Sequence, residues 1–154
     1  MENTATTCLG RRLTLNQYLR HVRKVMESVR KQKCGKAKGD GEFDMTWRTL
    51  VFNMGNMSGD SDSICGSICL AYYHFMKQNG TKKINVEDAE VYHIPLMNLS
   101  RSNFMARFES LYILETYGVD IDAILTLDDV NLNHLVEHAN TSLVLYDHNV
   151  PNSN

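Results

Sequence analysis

The chain has 154 residues, which is enough for one domain with a substantial core. Its formal net charge of −2 excludes a strongly basic surface of the kind that binds nucleic acid. The N-terminal sequence MENTATTCLG lacks the apolar segment of a signal peptide, and no apolar run approaches the length of a membrane span. We therefore expect a cytoplasmic protein whose partners include neither nucleic acid nor a membrane.

The first predicted element is a helix near the N-terminus. Apolar residues recur at helical spacing between Leu13 and Val29, and Thr14 is placed to cap the helix. The polar, Gly-containing sequence KQKCGKAKGDGEFD follows and is typical of a linker. We assign residues 1–45 to this helix and a basic linker. Solvated charge explains the basic residues better than a phosphate-attracting arm does.

Beyond Thr46, predicted strands alternate with predicted helices. The strands are TLVFNMG, VYHIPLMNL, AILTL and TSLVLYD, and helices are expected over 63–78, 102–117 and 132–139. Pro95 within the second strand favours an edge position or the limit of the strand. The alternation predicts an α/β fold, a Rossmann-like parallel sheet with flanking helices that occupies residues 46–154.

Acidic residues follow three of the predicted strands. These are Asp60 and Asp62 in GNMSGDSDS after the first strand, Asp128 and Asp129 after the third, and Asp147 after the fourth. Open parallel sheets bind ligands outside the carboxyl ends of their strands, so these carboxylates could converge on a divalent cation. The alternative for Asp60 and Asp62 is an Asx turn or a helix cap. For Asp128 and Asp129 we favour capping.

Several stretches resemble motifs of a known family. GNMSGDSDSICGSICLAYYHF is similar to the first motif of the DHH phosphoesterase superfamily in its exopolyphosphatase and prune branch, and LVLYDHN is similar to the second metal motif. IPLMNLSRSNFMARFE resembles a stretch in which that branch carries two arginines, matched here by Arg101 and Arg107. The resemblance extends from about Leu13 to Pro151 and is nearest to the trypanosomatid-type exopolyphosphatases. It implies the N-terminal part of a DHH domain.

The resemblance also implies a site for two divalent ions, Mn²⁺ or Mg²⁺. In the family such a site hydrolyses the terminal phosphoanhydride bond of inorganic polyphosphate, which makes the family one of acid-anhydride hydrolases. Asp60, Asp62 and Asp147 would then be the catalytic metal ligands. Asn56 stands where related pyrophosphatases have a ligand His, and it ranks below the aspartates because an amide is the poorer ligand.

Three further residues are candidates for the substrate phosphate. Arg101 and Arg107 could meet phosphate oxygens through bidentate hydrogen bonds, with ordinary surface charge as the alternative. His148 follows Asp147 at a position that is polar in the branch, and a histidine facing solvent is its favoured alternative. The implied substrate is inorganic polyphosphate.

The sequence also departs from the family. The Asp-His-His motif is absent, as are the fourth metal motif and the C-terminal substrate domain. We therefore expect a truncated, inactive chain with marginal stability and an exposed sheet edge through which it self-associates. Two alternative functions stay open: a prune-like cyclic-nucleotide phosphodiesterase, and a non-catalytic remnant or binding module.

Overall fold

The computed structural model describes residues 13–32, 49–79, 91–131 and 140–147. Its helices are α1 (Leu15–Gln32), α2 (Ser61–Asn79), α3 (Arg101–Met105) and α4 (Phe108–Thr116), and its strands are β1 (Thr49–Met54), β2 (Val91–Met97), β3 (Leu125–Thr126) and β4 (Asn140–Leu145). Short 3₁₀ turns, Ile121–Ala123 and Leu127–Asp129, flank β3. The first two residues of the predicted linker, Lys31 and Gln32, belong to α1. The rest of the predicted linker, the helix predicted over 132–139 and His148 lie outside the described residues. None of the described helices is long and apolar enough to cross a membrane.

The four strands form one parallel sheet in the order β3-β2-β1-β4. Met54 at the end of β1 lies opposite Leu96 of β2 and Leu145 of β4, so the carboxyl ends of these strands are level. The predicted α/β architecture with an all-parallel sheet is confirmed. The chain proceeds from β1 to β2 and β3 on one side and returns to β4 on the other. The crevice between β1 and β4 is therefore the topological switch point, where such sheets bind ligands.

Helix α1 has the apolar stripe that its sequence predicts. Leu15 is partly buried, and the other stripe residues are buried: Tyr18, Leu19, Val22, Val25, Met26 and Val29. At its start the Thr14 hydroxyl accepts from the Gln17 N–H at 3.3 Å, and the Gln17 side chain accepts from the Thr14 N–H at 2.9 Å. This reciprocal capping box confirms the predicted cap. Tyr18 anchors the helix, because its ring packs on Tyr72 and Phe75 of α2.

Pro95 does not mark an edge strand, because β2 lies between β1 and β3. Backbone polar groups point alternately to the two sides of a strand. The His93 carbonyl accepts from the Tyr18 hydroxyl at 2.6 Å. Pro95 lies two residues further on, so its backbone faces the same side of the strand as that of His93, and the described β3 pairs only with Leu96 and Met97. Pro95 also lies inside β2 and not at its limit, so both positions expected from the sequence are wrong.

Two other predicted elements differ from the structure. The single helix expected over 102–117 is divided into α3 and α4 at Ala106 and Arg107, where Arg107 has φ −89° and ψ 70°. Phe104 and Leu111 are both buried, so their spacing alone fitted one continuous stripe. The third strand is only two residues long, because a 3₁₀ turn precedes it and another follows it.

Candidate metal centre

Three aspartates meet at the switch point between β1 and β4. Asp60 directly precedes α2, Asp62 lies in its first turn, and Asp147 follows β4. One carboxylate oxygen of each lies within 4.8 Å of the other two, and all three residues are exposed. Hard divalent cations bind oxygen ligands at about 2.0–2.6 Å, so oxygens at this spacing can share one ion. We call these three residues the aspartate cluster.

The loop that carries Asp60 is folded tightly onto the start of α2. The Asn56 N–H donates to the Ser63 hydroxyl at 2.7 Å. A Cβ added to Gly55 would collide with that hydroxyl and would lie 2.8 Å from the Ser63 carbonyl oxygen. Only a glycine at position 55 therefore lets β1 turn directly into the loop, and this turn brings Asp60 to the sheet edge.

Asp60 is at once a helix cap and a member of the aspartate cluster. A hydrogen bond from Ser58 is the main reason that the pKa of its carboxyl lies below the ordinary value, with a smaller contribution from the Ser63 backbone N–H. Asp60 holds the N-cap position directly before α2, where its carbonyl accepts from the Ile64 N–H at 3.0 Å. The position before α2 and the membership of the aspartate cluster therefore fall on the same residue, and metal binding by Asp60 stays a prediction.

Asn56 connects the loop to Asp147. Its Nδ2 donates to Asp147 Oδ2 at 2.6 Å and to the Asp147 carbonyl at 3.4 Å. Its Oδ1 accepts from the backbone N–H groups of Ser58 at 2.9 Å and Gly59 at 3.3 Å. The amide oxygen is therefore engaged by the loop, and the amide nitrogen orients the Asp147 carboxylate. A ligand role for Asn56 stays a prediction.

The backbone at Asp147 has an unusual conformation. Its φ of 57° places it in the left-handed region, which Asp tolerates better than most residues. Such a conformation costs on the order of 1 kcal/mol and persists only where neighbours hold it. The preceding residue provides one constraint, since the Tyr146 N–H donates to the Met54 carbonyl at 2.8 Å and extends the pairing of β4 with β1.

The two candidate arginines lie in different surroundings. Arg101 Nη2 donates to Asp129 Oδ2 at 2.9 Å and to the Ile124 carbonyl at 2.6 Å, so its guanidinium is bound at the β3 side of the sheet. Arg107 is exposed, and its Nε lies beside Gly59, 3.4 Å from the position that a Cβ there would occupy. The structure therefore brings Arg107, but not the Arg101 guanidinium, to the loop of the aspartate cluster. Their phosphate contacts stay predictions.

Asp128 and Asp129 do not join the cluster. Asp129 Oδ2 accepts from the Thr126 N–H at 2.8 Å and its hydroxyl at 3.0 Å, and Asp128 accepts from the Arg101 N–H at 2.6 Å. Partial burial opposes ionisation of Asp129, but the Thr126 hydrogen bonds and the charges of Arg23 and Arg101 outweigh it and lower its pKa. The capping expected from the sequence is confirmed for Asp129.

Ser58 contributes to the site, although the sequence did not single it out. Its hydroxyl bonds Asn56 Oδ1, and its side chain is the first cause of the lowered pKa of Asp60. A signal was present, because a small hydroxyl residue two positions before an aspartate is typical of a turn that satisfies the carboxylate locally. The motif GNMSGDSDS contains that spacing.

No family model matches the chain. It is 28% identical to Exopolyphosphatase PRUNE1 of Mus musculus, 28% to that of Rattus norvegicus and 24% to that of Homo sapiens, each over 103 residues. Each match covers 67% of the chain, and the chain spans 21% of each relative's length. These similarities confirm the resemblance to the exopolyphosphatase and prune branch.

Proposed function

We propose that the aspartate cluster is part of the metal site of an exopolyphosphatase-type phosphohydrolase. The proposed reaction releases the terminal phosphate of inorganic polyphosphate. The convergence of three exposed carboxylates at the switch point carries this proposal. The motif resemblance supports it, and so do relatives that bear the name exopolyphosphatase.

The donor set fits Mn²⁺ or Mg²⁺. Within the described residues the cluster offers carboxylate oxygens alone, and hard cations prefer these to imidazole or thiolate. A divalent ion held there would supply a Lewis acid for a phosphoryl oxygen. Three monodentate carboxylates fill about half of an octahedral shell, which leaves positions for water and for phosphate.

The chain's own residues have separate proposed roles. Asp60 is ionised at neutral pH, as an ordinary aspartate is, and its lowered pKa extends the ionised form to more acidic pH, where it can still bind a cation. Arg107 reaches the loop beside Gly59 from an exposed position, where its guanidinium could meet phosphate oxygens. We place Arg107 before Arg101 as the phosphate contact, because Asp129 and a backbone carbonyl already engage Arg101.

We further propose that this chain alone binds an ion but turns over polyphosphate slowly or not at all. The clamp of two ions that the family resemblance implies requires more ligands than three carboxylates. A non-catalytic binding module would share the metal binding, and a cyclic-nucleotide phosphodiesterase would share both metal and residues. Substrate trials separate these functions.

The decisive experiment measures Mn²⁺ binding by calorimetry together with phosphate release from short polyphosphate and hydrolysis of cyclic AMP. Asp62→Asn should weaken Mn²⁺ binding by at least about tenfold, because it removes one charged ligand. The matched control is Asp122→Asn, which removes the same charge from an exposed residue in the Ile121–Ala123 turn. Equal Mn²⁺ affinity in the two variants would contradict the site. Turnover of cyclic AMP but not polyphosphate, abolished by Asp62→Asn, would replace the proposed substrate.

A further inference from the structure

The residue before Asp147 contacts α2, because the Tyr146 ring lies against Gly66. Two members of the aspartate cluster belong to the start of α2, whereas Asp147 follows β4, an element at the border of the described sheet. A shared ion requires the two elements to keep a fixed spacing. We infer that Gly66 and Tyr146 are positioning residues that hold Asp147 in the cluster. This inference rests on the proposed metal binding.

The Tyr146 ring packs directly on Gly66. A Cβ added to Gly66 would collide with Tyr146 Cε1 and would lie 2.6 Å from Cζ and 2.8 Å from Cδ1. Real Cβ atoms do not approach carbon this closely, so the ring lies directly on the helix backbone at this point. Glycine destabilises a helix interior relative to alanine, and the close approach of the ring gives a physical reason for glycine here.

Gly66 lies on the same face of α2 as Asp62, a proposed metal ligand. Gly66 is four residues after Asp62, and residues at this spacing lie one above the other on one helix face. Tyr146 directly precedes Asp147 in the chain. The contact therefore joins the helix face that carries Asp62 to the backbone that carries Asp147, about one helical turn below the carboxylates.

The backbone conformation of Asp147 is unfavourable, so the contact between Tyr146 and Gly66 affects where the Asp147 carboxylate lies. Its left-handed backbone persists only while its neighbours hold it. Asn56 Nδ2 donates a hydrogen bond to the Asp147 carboxylate. Tyr146 fixes the backbone before Asp147 through two contacts: its N–H donates to the Met54 carbonyl, and its ring packs on Gly66. Lifting the ring would release one of these constraints and move the third carboxylate away from the other two.

The test uses Gly66→Ala in the full chain, with the dissociation constant of Mn²⁺ and the urea midpoint of the metal-free protein measured together. We expect Mn²⁺ binding to weaken about ten- to a hundredfold, the range found when residues that orient ligands are changed. The metal-free urea midpoint should change little, since alanine favours the helix while it displaces the ring. A merely structural role would lower the midpoint and leave Mn²⁺ affinity unchanged.

Tyr146 variants test the same contact without changing a residue of α2. Tyr146→Phe keeps the ring and should retain the wild-type Mn²⁺ affinity, whereas Tyr146→Ala should weaken it like Gly66→Ala. The double variant Gly66→Ala/Tyr146→Ala should bind no more weakly than Tyr146→Ala, because both changes remove one contact.

The outcomes distinguish this inference from the proposed function. Wild-type affinity in both Gly66→Ala and Tyr146→Ala would overturn the positioning role and leave the metal site intact. A wild-type chain that does not bind Mn²⁺ would overturn both. Tight Mn²⁺ binding without hydrolysis is the result proposed above for this chain alone, and the positioning test would then rest on the affinities.

Discussion

Two groups of aspartates follow strands of one sheet and have opposite electrostatic surroundings. The aspartate cluster places three exposed carboxylates together, and its members take part in none of the ion pairs found among the described residues. Asp129, after β3, is partly buried and lies 3.3 Å from Arg23 and 2.9 Å from Arg101. Both groups follow strands of the sheet, but only Asp129 has arginine side chains that balance its negative charge.

This difference separates a structural carboxylate from a candidate ligand. Asp129 is neutralised by guanidinium groups, so its charge stabilises the contact between α1, α3 and the turn after β3. Like charges within 4.8 Å repel one another, and the aspartate cluster lacks the countercharge that Asp129 has in Arg23 and Arg101. The comparison predicts that removal of one carboxylate has opposite consequences in the two groups.

The largest expected effect is at the arginine-bound group. Asp129→Asn should lower the free energy of unfolding by about 2 kcal/mol, because it leaves two partly buried guanidinium groups without their countercharge. Urea denaturation measures this loss, and Mn²⁺ affinity should stay at the wild-type value. The comparison would fail if Asp129→Asn and Asp62→Asn shifted the urea midpoint equally.

The next largest expected effect is the pH dependence of stability that a buried histidine produces. This dependence must be distinguished from the titration of the aspartates. His93 is 7% exposed and stacks on His74 with ring centroids 5.0 Å apart. Burial, and then the neighbouring His74, lower its pKa to about 4. Its unfolded pKa is about 6.5, so between these values the unfolded chain binds a proton that the folded chain does not. Stability should therefore fall as pH decreases from about 6.5 to 4.

The expected loss between pH 7 and pH 5 is roughly 1–2 kcal/mol, with a limiting slope of about 1.4 kcal/mol per pH unit. His93→Gln cannot take up the proton and should flatten this slope. The depressed pKa of Asp129 acts in a lower window, because its contribution is present above the unfolded value of about 3.9 and is lost as pH falls through the folded value. An unchanged slope in His93→Gln would show that another group titrates.

The aspartate cluster should respond in the opposite direction and by less. Asp62→Asn relieves repulsion between exposed carboxylates, so the metal-free protein should stay within about 0.5 kcal/mol of wild type, on the more stable side. Added Mn²⁺ should then stabilise the wild type more than the variant, by mass action. Thermal melts with and without Mn²⁺ measure both quantities. A clear loss of metal-free stability would place Asp62 with the structural carboxylates.

The sequence predicted the convergence of Asp60, Asp62 and Asp147, because strand ends of a parallel sheet share one edge whatever the details of packing. It could not distinguish Arg101 from Arg107, since that difference depends on a partner, Asp129, that is distant in the chain. The break between α3 and α4 was missed for a similar reason. Apolar spacing alone does not show where the chain leaves helical geometry.

The two borders of the sheet offer the last and smallest test. At the β3 border Leu125 and Thr126 are buried, whereas at the β4 border Leu143 is 53% exposed. An exposed, uncharged strand edge is a template for pairing with a second copy, and we propose weak self-association there. Leu143→Lys should reduce the association measured by sedimentation by a few fold, because a charge on a border strand opposes pairing. The control Tyr117→Lys adds the same charge at a residue that is 81% exposed beyond α4. If it dissociates the protein equally, general charge repulsion and not the β4 border governs association.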